Sequence, residues 1–364
     1  MKKQYETSSF ASASLMRAVD FVFQPKRGHA SSPPPSDLTG KVVVSSLGGL
    51  GDLLVQMPLI EALHQRYGAQ VALRPEHLPL AKILGWAAFP FQSPATLFFK
   101  AGVGEALRLV GKLWHERKAA GRPDWWVDLT GNAVNNVLIH FLVGTHLAAS
   151  GLRGGGGLTD LELPETLADS AYLRMEKIAG FLGVEPLNPR ILRERLGRAE
   201  AHGKIVLVLS TPCRWRNWPL PYFAALTRQF PQEQFILSGF THELQTTPPG
   251  ELDAILALPN VHSRLDNTDL SGFVHLLAGA RAIVTPDTAA THLAFRLDIP
   301  GVALFGPVNS RLWFPAGGGL VLLKNEDCPY FPCVQWHCRR PADWCMNRLH
   351  PDLAAQTLRT VLES

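Results

Sequence analysis

Two kinds of apolar pattern alternate along the chain. Short continuous runs, such as Lys41-Val42-Val43-Val44-Ser45-Ser46-Leu47 and Ile205 to Leu209, read as buried strands of parallel sheet. Between them, apolar residues three and four apart, as at Leu54, Met57, Ile60 and Leu63, read as helices. In the first half, strands are expected at 41–47, 71–73 and 125–129, with helices between them. Pro58 is expected either to kink the first helix or to mark its effective start. In the second half, strands at 205–209, 235–237, 282–284 and 302–305 alternate with helices at 219–229, 270–278 and 288–296. Such alternation implies parallel sheets covered on both faces. The two series part near residues 183–203, which predicts two doubly wound domains.

The expected organisation is a tail at 1–40, an N-terminal domain at 41–190, a C-terminal domain at 191–345 and a closing helix at 346–364. The tail ends in a Pro/Ser linker, Ser31-Ser32-Pro33-Pro34-Pro35-Ser36. Within it, Phe10 to Phe23 has helical spacing, for docking on its own domain or for a membrane or partner contact. Gly154 to Gly157 reads as a flexible loop.

Composition narrows the function classes. The 364 residues are 46% hydrophobic and 18% charged, enough apolar content for two cores and unlike a disordered chain. The formal net charge of +4 is a mild bias toward anionic ligands such as nucleotide diphosphates, or toward an anionic membrane surface. No Arg/Lys stripe interleaved with aromatics appears, so nucleic acid is not an expected partner. No run approaches the roughly 20 apolar residues of a membrane span, and no signal-like apolar segment follows Lys2 and Lys3. The expected location is the cytoplasm.

Ligands of open parallel sheets bind beyond the carboxyl ends of the strands. Three turns there carry chemistry. The first, Ser45 to Asp52, contains Gly48, Gly49 and Gly51, which allow close backbone approach to a ligand. Its spacing is not the dinucleotide fingerprint. Asp52 opens the following helix, as an N-terminal cap or as a general base at a cleft lip. The second turn offers the hydroxyls of Ser210 and Thr211 and the guanidinium groups of Arg214 and Arg216, followed by Pro219 at a helix start. Two such cations beside a helix N-terminus suit a phosphate clamp, with solvated arginines and a packed Trp218 as the other reading. In the third, Asp287 or Thr288 caps a helix whose free amides favour phosphate, and His292 lies on the same face as Thr288.

Cysteine use divides in two. Cys213 stands alone, whereas Cys328, Cys333, Cys338 and Cys345 crowd together near the end. Four thiolates suit a structural zinc or iron, although the spacing is not the paired Cys-x2-Cys type. Reduced, packed thiols are the other reading. Disulfides are not expected in a cytosolic chain.

Together these segments resemble the bacterial lipopolysaccharide heptosyltransferase family, glycosyltransferase family 9. The similar segments are Ser-Ser-Leu-Gly-Gly-Leu-Gly-Asp with Met-Pro-Leu-Ile-Glu-Ala-Leu, Arg-Asn-Trp-Pro, Pro-Asp-Thr-Ala-Ala-Thr-His-Leu-Ala, Leu-Phe-Gly-Pro and the cysteine cluster. The resemblance implies an α/β GT-B fold, two Rossmann-like domains facing a cleft, with a C-terminal cysteine-rich finger. It implies an inverting transferase using ADP-heptose, with no cofactor for catalysis and Asp52 as the base. Arg216 would stand where the family has a phosphate-binding lysine. Asp287, Thr288 and His292 would line the donor site, with Glu243 on the ribose. Ala289 replaces a glycine usual in the family, and its methyl group bears on phosphate approach. The implied acceptor is a lipopolysaccharide-core or protein hydroxyl. Peripheral contact with the inner membrane and homo-oligomer formation are further expectations. Another nucleotide sugar, an epimerase, or a non-catalytic scaffold on the same fold are the rival readings.

Overall fold

The computed structural model of the chain describes residues 38–91, 122–131, 135–136, 139–143, 145–150, 158–166, 168–185, 187–197, 199–333 and 338–364. The helical spacing at Phe10 to Phe23 and the loop Gly154 to Gly157 lie outside them. The chain divides into two compact units, Met1–Asn188 and Pro189–Ser364.

The first unit holds six strands, β1 (Val42–Ser46), β2 (Gln70–Leu73), β3 (Ala88–Pro90), β4 (Trp125–Asp128), β5 (His146–Ala149) and β6 (Leu161–Glu162). They form one sheet in the order β3-β2-β1-β4-β5-β6. Every pairing is parallel, with Val44 opposite Val71 on one side and Val127 on the other. β1 is buried at all five positions, as expected for a central strand of a covered sheet. Helices α1 (Leu50–Tyr67), α2 (Leu78–Leu84) and α3 (Ala171–Leu182) accompany the strands, with a 3-10 turn at Pro75–His77 and a π-helical turn at Ile139–Val143.

Of the two expectations for Pro58, the start is corrected: α1 begins at Leu50 and runs through the proline, with Leu53 to Glu61 all buried. An interior proline costs a helix about 3 kcal/mol. Burial of Leu53, Leu54, Met57, Leu59 and Ile60 offsets that, at roughly 1.5–3 kcal/mol for each large apolar side chain. The helix stops at Gly68, whose left-handed φ of 61° lets its amide reach the His64 carbonyl.

The second unit begins with α4 (Ile191–Leu196). Strands β7 (Ile205–Val208), β8 (Phe235–Ser238), β9 (Val261–Ser263), β10 (Ala282–Pro286), β11 (Gly301–Phe305) and β12 (Leu320–Lys324) follow. Between and after them come α5 (Leu220–Arg228), α6 (Glu251–Leu256), α7 (Leu270–Ala278), α8 (Ala289–Leu297), α9 (Ser310–Trp313) and α10 (Pro351–Glu363). The sheet order is β12-β11-β10-β7-β8-β9, again all parallel. α10 contributes Ala354, Ala355, Leu358 and Val361 to the same core as Leu207, Leu237, Val284 and Leu304. The last helix is therefore part of the second unit's core. Among the described residues, no helix is long and apolar enough to cross a membrane.

Candidate functional site

Each sheet order reverses once, between β1 and β4 and between β7 and β10. A reversal leaves a crevice outside the carboxyl ends of the two strands, the usual ligand position in this architecture. The three turns singled out in the sequence all stand there.

In the second unit, β7 runs straight into Ser210. Its hydroxyl donates to Glu243 Oε2 at 2.6 Å and accepts from the Phe240 amide at 2.9 Å. Glu243 lies on a single 3-10 turn, Thr241–Leu244, just after β8. Gly239 makes this junction fit. Its φ is 134°, and a Cβ there would lie 2.6 Å from Ser210 Oγ. The Thr211 amide donates to Asn217 Oδ1 at 2.8 Å, and Asn217 Nδ2 donates to the Glu243 carbonyl at 3.4 Å. The ends of β7 and β8 are thus one hydrogen-bonded frame around the Glu243 carboxylate. Asn217 was not singled out from sequence. Its position after two arginines hides a role that depends on the neighbouring strand.

Arg214 and Arg216 share a 3-10 turn but part company. The Arg214 guanidinium lies 4.0 Å from the ring centre of Trp215, a cation–π contact. Arg216 turns to β10. Its Nη1 is 3.4 Å from Asp287 Oδ2 and 3.4 Å from the Asp287 carbonyl, while its Nε is buried and makes no hydrogen bond. These are long contacts for a guanidinium with five donors. Burial pushes the Asp287 carboxyl upward, and the Arg216 charge pulls it back. A diphosphate at this point would supply the oxygens that Arg216 lacks.

The third turn resolves an alternative left open by sequence. Thr288, not Asp287, caps α8, accepting the Ala290 amide at 3.0 Å. Ala289 is the first helical residue and is partly exposed. His292 is buried, and burial, with Arg296 and Arg216 nearby, holds its imidazolium pKa down to about 3. Its ring is neutral across the physiological range, so it suits packing or hydrogen bonding rather than proton donation.

In the first unit, Gly49 is the N-cap of α1, and Gly51 and Asp52 lie in its first turn. Asp52 Oδ2 accepts the Gly49 amide at 2.8 Å, so the carboxylate caps the helix. Capping and base chemistry are compatible, because a hydrogen-bonded carboxylate held at a strand end is already oriented. Arg74, just after β2, donates to the Gly48 carbonyl at 3.3 Å and pairs with Glu76. Sequence reading passed over it, although a cation directly after the run Val71 to Leu73 was a readable signal.

Cys328, Cys333, Cys338 and Cys345 do gather, lining one cavity with Trp215 and Pro307. Their donor chemistry would suit zinc or iron. Among the described residues, no three His, Cys, Asp or Glu side chains are grouped to hold a metal ion, and the four thiols form no disulfide. Burial first, then the neighbouring Cys333, pushes Cys345 up to about 12. The cluster packs behind the second turn. The Trp215 and Trp344 rings meet edge-on at 6.1 Å, and Trp218 donates to the Leu349 carbonyl at 2.7 Å.

Comparison with known proteins follows the same lines. Residues 187–341 match the model of glycosyltransferase family 9 (heptosyltransferase). Lipopolysaccharide heptosyltransferase 1 of Pseudomonas aeruginosa is 30% identical over 187 residues, 47% of this chain and 51% of that protein. The chain thus spans about half the length of this curated relative. The E. coli heptosyltransferase WaaC with ADP superposes with a TM-score of 0.69 at 16% identity, covering 88% of this chain and 99% of that one. The dodecameric iron-containing heptosyltransferase TibC, in complex with ADP-D-beta-D-heptose, superposes at 0.52 with 11% identity, covering 90% and 78%. These structural likenesses show the GT-B fold. Residues 187–341 are thus similar to glycosyltransferase family 9.

Proposed function

We propose that the chain transfers heptose from ADP-heptose to a hydroxyl of the lipopolysaccharide core, with inversion at the anomeric carbon. The observation that supports this most is the incompletely satisfied Arg216–Asp287 pair beside the Thr288-capped end of α8, with Glu243 framed on the neighbouring strand end. That set offers cation and helix amides for a diphosphate and a carboxylate for ribose hydroxyls. The names of the family relatives supply the sugar and the acceptor class.

In this reading Asp52 accepts the proton of the acceptor hydroxyl. The acceptor oxygen bonds to the anomeric carbon, and the bond from that carbon to the diphosphate oxygen breaks. The electron pair leaves with ADP. Arg216 and the first amides of α8 stabilise that charge, a contribution of about 3–4 kcal/mol for one preorganised donor. The base is typically worth about 10²- to 10⁴-fold.

Calorimetric titration tests the donor assignment. ADP should bind the parent protein more tightly than UDP. Arg216→Ala should weaken ADP by about ten- to a hundredfold, as expected for losing charge-assisted contacts of about 1.5–3 kcal/mol. Equal ADP affinity in both proteins removes Arg216 from the clamp.

A further inference from the structure

A second carboxylate stands at the first unit's switch point, and the proposed reaction does not use it. Asp128 is the last residue of β4, directly opposite Ser45 of β1. It is fully buried. Its Oδ1 accepts the Ser45 hydroxyl at 2.7 Å, and Ser45 in turn accepts the Trp126 indole N–H at 2.8 Å. The same Oδ1 accepts the Thr130 amide at 3.3 Å. Thr130 then passes the connection back, its Oγ1 accepting the Leu47 amide at 3.0 Å. Leu129 closes the ring twice. Its amide donates to the Ser45 carbonyl at 3.0 Å, and its carbonyl accepts Gln56 Nε2 at 2.9 Å. Ser45 and Leu47 precede the glycine turn, and Gln56 follows it on α1. The segment carrying Asp52 is therefore fastened at both ends to the strand end that Asp128 organises.

Stability alone does not account for this residue. Asp128 Oδ2 is buried and makes no hydrogen bond. An unsatisfied buried polar atom costs about 1–3 kcal/mol, and more when charged. Burial also pushes the Asp128 carboxyl upward. An apolar residue would avoid both penalties but could not hold Ser45 and Thr130 together.

We propose that Asp128 is a positioning residue for transfer, setting the path of the chain from β1 into α1 and so the location of the Asp52 carboxylate. This rests on the reading of Asp52 as the base. Misplacement of a reacting group by about 1 Å can cost about 10²-fold in rate.

The test compares Asp128→Ala, Asp128→Asn and Asp52→Ala in the full chain. ADP release from ADP-heptose is followed with heptose-deficient lipopolysaccharide core as acceptor, alongside amide hydrogen exchange over residues 47–53. Asp128→Ala should lower kcat on the order of 10²-fold at unchanged KM for ADP-heptose, with faster exchange in that segment. Asp128→Asn keeps the Oδ1 acceptor and should restore both. Unchanged kcat and exchange in Asp128→Ala overturn the proposal, as does a loss in Asp128→Asn equal to that in Asp128→Ala. A parallel fall in kcat, ADP affinity and thermal midpoint also overturns it, since that is general damage. An active Asp52→Ala protein fails the base reading instead, and the exchange comparison then decides the positioning role by itself.

Discussion

At the residue scale, burial shifts two titratable groups of the second unit's site, His292 and Asp287. His292 is the clearest. Its native pKa of about 3 lies far below the ordinary 6.5. Below about pH 6 the unfolded chain takes up a proton at this position that the native protein does not. Stability from this residue is thus present at neutral pH and falls as pH drops from about 6.5 toward about 3, by about 1.4 kcal/mol per pH unit. Replacement His292→Gln should flatten the fall in unfolding free energy between about pH 5.5 and about pH 4.5 by that amount. An unchanged slope in denaturant titrations would mean the native imidazole is protonated. Asp287 acts in the opposite sense. Its raised carboxyl favours the native state in acid and loses that advantage as pH rises through its native pKa, so the comparison must be made against the parent protein.

At the element scale, the β1–α1 turn shows why glycine is required. A Cβ on Gly48 would lie 2.5 Å from Asp52 Oδ2 and 2.9 Å from its Cβ and Cγ. Gly48→Ala must push the carboxylate aside. It should therefore lower turnover on the order of 10- to 100-fold while ADP binding, which the proposed reading assigns to the second unit, is unchanged. Undiminished turnover would show that the Asp52 position has slack. The turn itself was legible because Val42 to Leu47 is a continuous buried run. The same holds for β7, β8, β10 and β11, whose residues are all buried. β3 and β9 were not legible, because they are three-residue edge strands with too little pattern to read; β12 carries an apolar run, Leu320 to Leu323, that sequence reading passed over. β6 has two residues and no pattern to read. The start of α1 was misplaced only in the reading that put it at Pro58, because the burial around the proline, not the local sequence, lets the helix continue through it. Asp128 escaped because its Ser45 partner is 83 residues away in sequence, and only the register of β1 with β4 brings the two together.

At the scale of the whole molecule, the chain repeats one design. Two parallel six-stranded sheets each reverse their order once, and each reversal carries the reactive groups that its own turns supply. The family match covers residues 187–341, in the half proposed to hold the nucleotide. Asp52 and its frame lie in the other half, so the role of that carboxylate is the step that most needs a direct measurement. That measurement is heptose transfer from ADP-heptose by Asp52→Ala, with ADP affinity taken on the same preparation. The account predicts transfer reduced about 10²- to 10⁴-fold at unchanged ADP affinity. Transfer near the parent rate, or equal loss of transfer and ADP binding, would contradict it.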